Sequence, residues 1–213
     1  MTSAAEPTPY RNRISYQAGL LGGFATLAAA LLAFGDFSTR DSIAERRADD
    51  IRASLSQVIP DRLHDNNLLQ DPLTLTREGR PVLVYRATQQ GQVSAVAYPV
   101  SGKGYSGTIS IMMGVSSEGE IIGVRVLAHT ETPGLGDKIE EKKGDWIFSF
   151  NGLSFDNTPD PQWAVKKDGG RFDQFSGATI TPRAVVKAVK EGLQFFQAHR
   201  QELLDAGNRS ESQ

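Results

Sequence analysis

The sequence contains no cysteine among its 213 residues, and this absence excludes several kinds of redox and metal chemistry. Without thiolates the chain cannot hold an iron–sulfur cluster, a cysteine-type zinc site or a disulfide. The three histidines, His64, His129 and His199, are too widely spaced for a helical zinc motif. Redox chemistry in this chain would therefore depend on a bound organic cofactor.

The chain also lacks a surplus of charge of either sign. It has 23 Lys and Arg against 25 Asp and Glu, which gives a formal net charge of −2. Nucleic-acid-binding proteins carry a large basic surplus on the binding face, so the composition gives no support for a nucleic-acid partner. Hydrophobic residues make up 39% of the chain and charged residues 23%, which is typical of a folded globular protein.

Residues 14–35 form an uncharged, mostly apolar run near the start of the chain. At about 1.5 Å per residue, a helix of this length covers roughly 33 Å, enough to cross a hydrocarbon core of about 30 Å. The run predicts one transmembrane helix after an N-terminal tail, residues 1–13. The alternative is a cleaved signal peptide with its cleavage site at residues 28–30, but apolar residues continue through Phe34.

Small residues recur at intervals of four along the predicted span, as in the pair Gly19 and Gly23 and the series Gly22, Thr26 and Ala30. This spacing lets a second helix approach closely in lipid, which would make the chain one subunit of a membrane complex. The same residues are also common in membrane helices that pack against nothing. Basic residues flank the span in nearly equal number on both sides, so charge alone leaves the orientation open.

Beyond the span, the hydrophobic pattern predicts an α+β domain with an antiparallel sheet and one C-terminal helix. A linker at 36–63 contains a juxtamembrane helix at 41–59 that ends before Pro60. Residues 64–80 are polar and are predicted to form a loop. Strands are predicted at 82–85, 93–98, 107–115 and 121–127, with short strands at 146–150 and 163–165. The C-terminal helix is predicted at 182–206 before a disordered tail at 207–213, so the folded domain covers 64–206.

The most distinctive segment precedes the C-terminal helix and reads Asp-Gln-Phe-Ser-Gly-Ala-Thr-Ile-Thr-Pro, residues 173–182. Thr181 is predicted to be the N-cap, and Pro182 suits the first helical position, where its missing N–H is not needed. Small residues upstream leave backbone amides accessible to an anion at the positive end of the helix. Taken alone, this segment is more typical of a simple turn with a helix cap.

Two further segments give the motif a specific context. Glu-Thr-Pro-Gly-Leu-Gly, residues 131–136, follows the second predicted hairpin, and a glycine-rich turn at 102–107 opens it. Together with Asp-x-x-Ser-Gly-Ala-Thr at 173–179 and the single span, they resemble the G subunit of the Rnf electron-transport complex, which has an FMN-binding domain. The chain is similar also to the C subunit of sodium-translocating NADH:quinone reductase. The resemblance covers nearly the whole chain, and Thr-Pro-Arg at 181–183 favours the Rnf family.

The resemblance implies that FMN is attached covalently, through a phosphoester to Thr179. It places the rest of the attachment segment at the cofactor, namely Ser176, Gly177, Ala178 and Thr181. A separate FAD-dependent flavin transferase makes the bond in this family, and Asp173 is expected to be a residue that the transferase recognises. The resemblance assigns no catalytic residue and no metal ligand to the chain.

The resemblance adds four residues to the cofactor site, namely Glu131, Thr132, Leu135 and Tyr105. A purely structural turn is the alternative for the first three, and Tyr105 either stacks on the flavin ring or packs against the protein. His129 is expected to be structural. Arg183 and Lys187, near the helix start, either steady the phosphate or are ordinary surface charges.

The resemblance thus predicts a membrane-anchored flavoprotein that relays electrons within an ion-translocating ferredoxin:NAD oxidoreductase complex. Its globular domain would lie on the periplasmic side of the bacterial inner membrane, with the N-terminal tail, residues 1–13, in the cytoplasm. Membrane-embedded subunits of the complex would contact the span. The chain has no dinucleotide-binding fingerprint and no cysteine, so NAD and iron–sulfur clusters would belong to partner subunits. The alternatives are the quinone-reductase protein and, in a different class, a non-redox membrane-anchored adaptor.

Overall fold

A computed structural model describes residues 14–77 and 79–205 of the chain. The predicted tails, 1–13 and 207–213, lie outside these residues. The chain divides into two compact units, Met1–Asp49 and Asp50–Gln213. The first contains the apolar segment, and the second contains the sheet and the C-terminal helices.

One long helix, α1 (Ile14–Val58), contains both predicted helical segments without a break. No proline occurs between Ile14 and Pro60, so no residue in that interval forces the helix to stop. The segment Tyr16–Phe34 is 19 residues long with a mean hydropathy of 1.7, and none of it is buried in the described structure. It is long and apolar enough to cross a membrane, as the sequence predicted.

The second unit is built on a five-stranded antiparallel sheet whose strands follow chain order. The strands are β1 (Leu73–Arg77), β2 (Arg80–Gln89), β3 (Gln92–Lys103), β4 (Thr108–Ser116) and β5 (Ile121–Ala128). The predicted antiparallel sheet is therefore confirmed, and β2 to β5 correspond to the four main predicted strands. The prediction of a loop over 64–80 is wrong for β1, where Leu73 and Leu75 alternate into the core.

Helices cover both faces of the sheet. Val96, Tyr98 and Val100 of β3 belong to the core under α2 (Ile180–Ala198). The intervening Ala95 and Ala97 belong to a second cluster, which contains the last turn of α1. Successive side chains of a strand point to opposite faces, so the alternation in β3 builds both cores at once.

Two glycines permit the close approach of these helices to the sheet. A Cβ at Gly102 in β3 would lie 3.0 Å from the carbonyl carbon of Ala184 in α2. A Cβ at Gly114 in β4 would lie 3.0 Å from the carbonyl carbon of Val58 in α1. Contacts this short force the backbone to move, so both positions require glycine. The start of α2 is thereby fixed against the end of β3.

The segment between β5 and α2 differs from the prediction. Trp146–Phe150 forms a 3₁₀ helix rather than a strand. In the predicted strand 163–165, only Val165 makes an isolated bridge, to Phe172. The C-terminal helix begins at Ile180, and after a break at His199 a short α3 (Arg200–Leu204) follows. A short apolar run fits a partly buried 3₁₀ turn as well as a strand, because its pattern of hydrophobic residues alone does not distinguish the two.

Candidate functional site

A cavity of about 460 Å³ opens beside the N-terminal end of α2. Its lining comes from the β3–β4 turn, the loop after β5 and the segment that leads into α2: Tyr105, Glu131, Thr132, Leu135, Gly136, Gly177, Ala178, Thr179, Ile180 and Thr181. The volume falls in the range of small-molecule sites, about 300–1,000 Å³. The structure therefore brings together the two motifs that the sequence singled out, although 50 positions separate Glu131 from Thr181.

Two aromatic side chains, Phe175 and the partly buried Trp146, support the segment that leads into α2. The rings of Trp146 and Phe175 meet edge to face with centroids 5.2 Å apart, and the Trp146 indole N–H donates to the carbonyl of Asp173 at 2.8 Å. The Ala178 N–H donates to the carbonyl of Phe175 at 3.1 Å. Gly177 has φ +81°, a left-handed conformation that favours glycine, and it turns the chain toward the cavity.

Glu131 connects the three segments that line the cavity. Its side chain is buried, with 4% of the residue exposed. Oε1 accepts a hydrogen bond from the Ser106 N–H at 2.9 Å, and Oε2 accepts one from the Tyr105 N–H at 3.2 Å. Oε2 also accepts a short hydrogen bond from the Thr181 hydroxyl. One carboxylate thus holds the β3–β4 turn and the start of α2 against its own loop.

Glu131 is ionised at neutral pH despite its burial. Burial by itself raises the pKa of Glu131, but the hydrogen bonds from Thr181, Ser106 and Tyr105 outweigh it and lower the pKa below the ordinary value. The Glu131 N–H donates to Nδ1 of His129 at 3.1 Å, and Nε2 of His129 lies 2.9 Å from Oε1 of Glu140. Because Nδ1 accepts, Nε2 carries the proton, and His129 orients the loop from outside the cavity lining.

The structure corrects the predicted start of the C-terminal helix, where Thr181 was expected to be the N-cap. The first helical residue is Ile180 and the N-cap position belongs to Thr179, so Thr181 lies inside the first turn, where 1% of it is exposed. Its hydroxyl is bonded to Glu131 and does not cap the helix. Pro182 is accordingly the third helical residue, not the first, and its missing N–H still falls among the four that have no helical acceptor.

The loop after β5 is a compact turn. The N–H groups of Leu135 and Gly136 both donate to the carbonyl of Thr132, at 3.1 and 3.0 Å. A hydrogen bond from the Gly134 N–H lowers the pKa of the Asp137 carboxyl, which also lies 3.5 Å from Nζ of Lys143. The turn places Thr132 and Leu135 in the cavity lining.

Four residues singled out from the sequence lie outside the cavity lining. Ser176 is exposed beside it, and the exposed Asp173 pairs with Nζ of Lys166 at 2.6 Å. Arg183 forms two hydrogen bonds of 2.6 Å with the Asp168 carboxylate, and Nζ of Lys187 lies 3.8 Å from Glu191. Both basic residues of α2 therefore have carboxylate partners within the chain.

The lining also includes two residues that the sequence did not assign to the site, Gly136 and Ile180. Gly136 belongs to the conspicuous Glu-Thr-Pro-Gly-Leu-Gly motif, and a Cβ there would lie 2.9 Å from the Thr181 hydroxyl oxygen. The repeated glycine of that motif was therefore a usable signal. Ile180 remains 46% exposed at the start of α2, and an exposed apolar residue carries no comparable pattern.

Comparison with known proteins assigns this cavity to a class. Residues 104–194 match the family model of the FMN-binding domain, and every residue of the cavity lining falls within that stretch. The match, together with the sheet, its C-terminal helix and the cavity at the helix start, defines a flavoprotein of the FMN-binding-domain class. Its apolar N-terminal helix is long enough to anchor it in a membrane.

Relatives narrow the class to one family. The chain is 52% identical to the G subunit of the ion-translocating oxidoreductase complex of Cereibacter sphaeroides, with 87% of this chain and 85% of that protein covered. It is 49% identical to the G subunit from Stutzerimonas stutzeri, with 87% and 82% covered. The chain belongs to the family of G subunits of ion-translocating oxidoreductase complexes, and the resemblance to the Rnf family is confirmed.

A solved structure similar to the chain is the crystal structure of Shewanella oneidensis NqrC. The sequence identity is 25% and the TM-score is 0.46, with 65% of this chain and 74% of that chain covered. The G subunits, at 52% and 49% identity, are much more similar in sequence. The identity to the G subunits shows the family of this chain, so the alternative of the quinone-reductase C subunit does not hold.

Proposed function

We propose that this chain carries FMN, joined by a phosphoester bond to the hydroxyl of Thr179, and relays electrons within an ion-translocating oxidoreductase complex. The observation that carries the proposal is the position of Thr179. It is half-buried in the cavity lining, at the N-cap position of α2, and its side chain makes no capping hydrogen bond. A hydroxyl with this placement is accessible to a large flavin donor.

The other two hydroxyls of the segment are less suitable. Thr181 is buried and its hydroxyl is engaged with Glu131. Ser176 is exposed and lies outside the cavity lining. Among the three hydroxyl groups of residues 173–182, only that of Thr179 faces the cavity without a capping or carboxylate partner. The contrast supports attachment at Thr179.

The start of α2 suits the phosphate of a diester, which keeps one negative charge. The N–H groups in the first turn of a helix have no carbonyl acceptor four residues earlier, and the helix dipole is positive there. Ile180 and Thr181 provide such N–H groups, whereas Pro182 has none. The phosphate would thus be held by backbone donors, because Arg183 and Lys187 are paired with carboxylates.

The remaining lining fits an aromatic ring system. Tyr105, Leu135 and Ile180 are exposed apolar or aromatic side chains at the cavity, and they would lie against the ring. Gly136 and Gly177 contribute backbone without a side chain, which leaves room for it. When bound, the isoalloxazine would supply the electron chemistry. The protein supplies position, partial exclusion of water and the local electrostatic field.

We also propose that the domain lies in the periplasm, anchored by a span at 14–35 that contacts membrane-embedded subunits of the complex. A Cβ at Gly19, Gly22 or Gly23 would meet nothing within 4 Å in the described chain, so this face of the helix is open to a neighbouring helix.

We further propose that a flavin transferase recognises Asp173, whose exposed carboxylate lies six residues before Thr179. The match to the FMN-binding domain supports this flavoprotein function over a non-redox adaptor.

Substitution of the attachment residue tests the proposal. The full chain is co-expressed with a flavin transferase and examined for flavin fluorescence after denaturing electrophoresis. Thr179→Val is expected to fold, as judged by circular dichroism, and to show no fluorescent band. Ser176→Ala and Thr181→Val are the matched controls, each removing a neighbouring hydroxyl, and both are expected to keep the band. Fluorescence retained in Thr179→Val, or lost in Thr181→Val alone, would contradict the assignment.

A further inference from the structure

Glu131 is an unusual group to find in a flavin cavity. It is the one carboxylate in the described lining, and it is almost fully buried. Its three hydrogen-bond donors are two backbone N–H groups and one hydroxyl, all of them neutral. No Lys or Arg whose side chain the structure describes forms an ion pair with it. The neighbouring His129 accepts the Glu131 N–H at Nδ1, and its Nε2 faces Glu140.

A buried carboxylate with no Lys or Arg partner is costly, because the charge loses its hydration. The donors are divided between the two carboxylate oxygens, with Ser106 on Oε1 and both Tyr105 and Thr181 on Oε2. A neutral amide has only one acceptor oxygen, and its NH₂ group would face a donor, so it could not replace the carboxylate without losing a hydrogen bond. The hydrogen-bond geometry therefore keeps a carboxylate, with its charge, in the cavity lining. The charge has its own effect on whatever occupies the cavity.

We infer that Glu131 places a fixed negative charge beside the flavin and thereby lowers its reduction potential. The inference rests on the proposed function, since it needs a flavin in this cavity. Reduction adds an electron to the ring system, and a nearby negative charge opposes the addition. The effect is largest where solvent is excluded and the effective dielectric constant is low. Glu131 is thus a positioning residue for the loops and also an electrostatic determinant of the carrier.

A redox titration of the full flavin-loaded chain in detergent tests the inference. At the potential where the wild type is half reduced, Glu131→Gln is expected to raise the ratio of reduced to oxidised flavin on the order of tenfold. Glu118→Gln is the matched control, because it removes the same charge from the exposed β4–β5 turn, which lies at the opposite end of β4 from Tyr105. It is expected to leave the ratio unchanged.

Thr181→Val separates the charge from the geometry. It removes one donor to Glu131 but keeps the carboxylate, so the charge is less well screened and the ratio should stay the same or fall. A rise of equal size in Glu131→Gln and Thr181→Val would show that loop displacement is responsible and would overturn the inference. If Glu131→Gln does not fold, a higher ratio in Thr181→Val overturns it, and an equal or lower ratio supports it.

Flavin content, measured before the titration, distinguishes this inference from the proposed function. Flavin attached at Thr179 with the same ratio in Glu131→Gln as in the wild type overturns the electrostatic role alone. Flavin bound in the cavity but not at Thr179 overturns the attachment site, and the titration then still tests Glu131. A wild-type chain that holds no flavin after co-expression with the transferase overturns both.

Discussion

The hydrogen bond from Thr181 to Glu131 makes a quantitative prediction about stability. Thr181→Val replaces the hydroxyl by a methyl group of similar size, so it removes the bond without opening a large cavity. The pair is buried, with 1% of Thr181 and 4% of Glu131 exposed, so water cannot replace the lost donor. Glu131 keeps only its two backbone donors, from Tyr105 and Ser106.

The expected loss of stability in Thr181→Val follows from the charge on the hydrogen-bond acceptor, the Glu131 carboxylate. Hydrogen bonds to charged groups contribute about 1.5–3 kcal/mol, and two donors remain in place, so Thr181→Val should lower the free energy of unfolding by about 2 kcal/mol. Thr181→Ser, which keeps the hydroxyl, is the matched control and should lose less than about 1 kcal/mol. The cost is larger than a missing helix cap alone would explain, since caps contribute about 1 kcal/mol.

Chemical denaturation of the full chain in detergent, followed by tryptophan fluorescence, measures this difference. Both tryptophans, Trp146 and Trp163, lie in the globular unit, so the signal reports on its unfolding. A loss below about 0.5 kcal/mol in Thr181→Val, or an equal loss in both variants, would refute the argument that the buried bond stabilises the fold.

The contribution of the Thr181–Glu131 hydrogen bond to the free energy of unfolding depends on pH. The pKa of Glu131 is lowered in the folded state, so the stabilisation is complete above its ordinary value, about 4.5. It is lost as the pH falls through the lower folded-state pKa, because the protonated carboxyl is a weaker acceptor. The difference between wild type and Thr181→Val should therefore be largest at neutral pH and shrink in acid. A difference that grows in acid would contradict this sign.

Two further predictions concern maturation and topology. Asp173→Ala should unfold at the same denaturant concentration as the wild type, because its ion pair with Lys166 is exposed, yet accept flavin poorly when the transferase is limiting. Lys166→Ala loses the same pair and should load normally; full loading of Asp173→Ala would show that the carboxylate is not recognised. A reporter active only outside the cytoplasm, fused after Gln213, should be active, and activity of a cytoplasm-only reporter there would reverse the orientation.

Much of the fold could be predicted from local patterns. The hairpins were visible because polar turns separate runs of β-branched and apolar residues, and the apolar stripe of α2 was visible from its period. β1 was missed because polar residues surround its short alternation of Leu73, Thr74, Leu75 and Thr76. The run Trp146–Phe150 was predicted as a strand, since a short apolar run does not distinguish a strand from a partly buried 3₁₀ turn.

The residues that line the site could be predicted from the sequence, but the contacts between them could not. The motifs at 131–136 and 173–179 were recognised from their residues, and the structure places both at one cavity. The role of Thr181 was not predictable, because its partner Glu131 lies 50 positions earlier and only tertiary structure brings the two together. The preference of threonine for N-cap positions favoured a cap at Thr181. In the structure its hydroxyl instead makes a buried hydrogen bond to Glu131.

Peptide mass spectrometry of the wild-type chain, purified from its native complex, tests the central claim most directly. Trypsin cleaves after Arg171 and Arg183, so one peptide contains Ser176, Thr179 and Thr181 together. Fragmentation of that peptide is expected to locate FMN on Thr179. FMN on either of the other two hydroxyls, or a peptide of unmodified mass, would contradict the account.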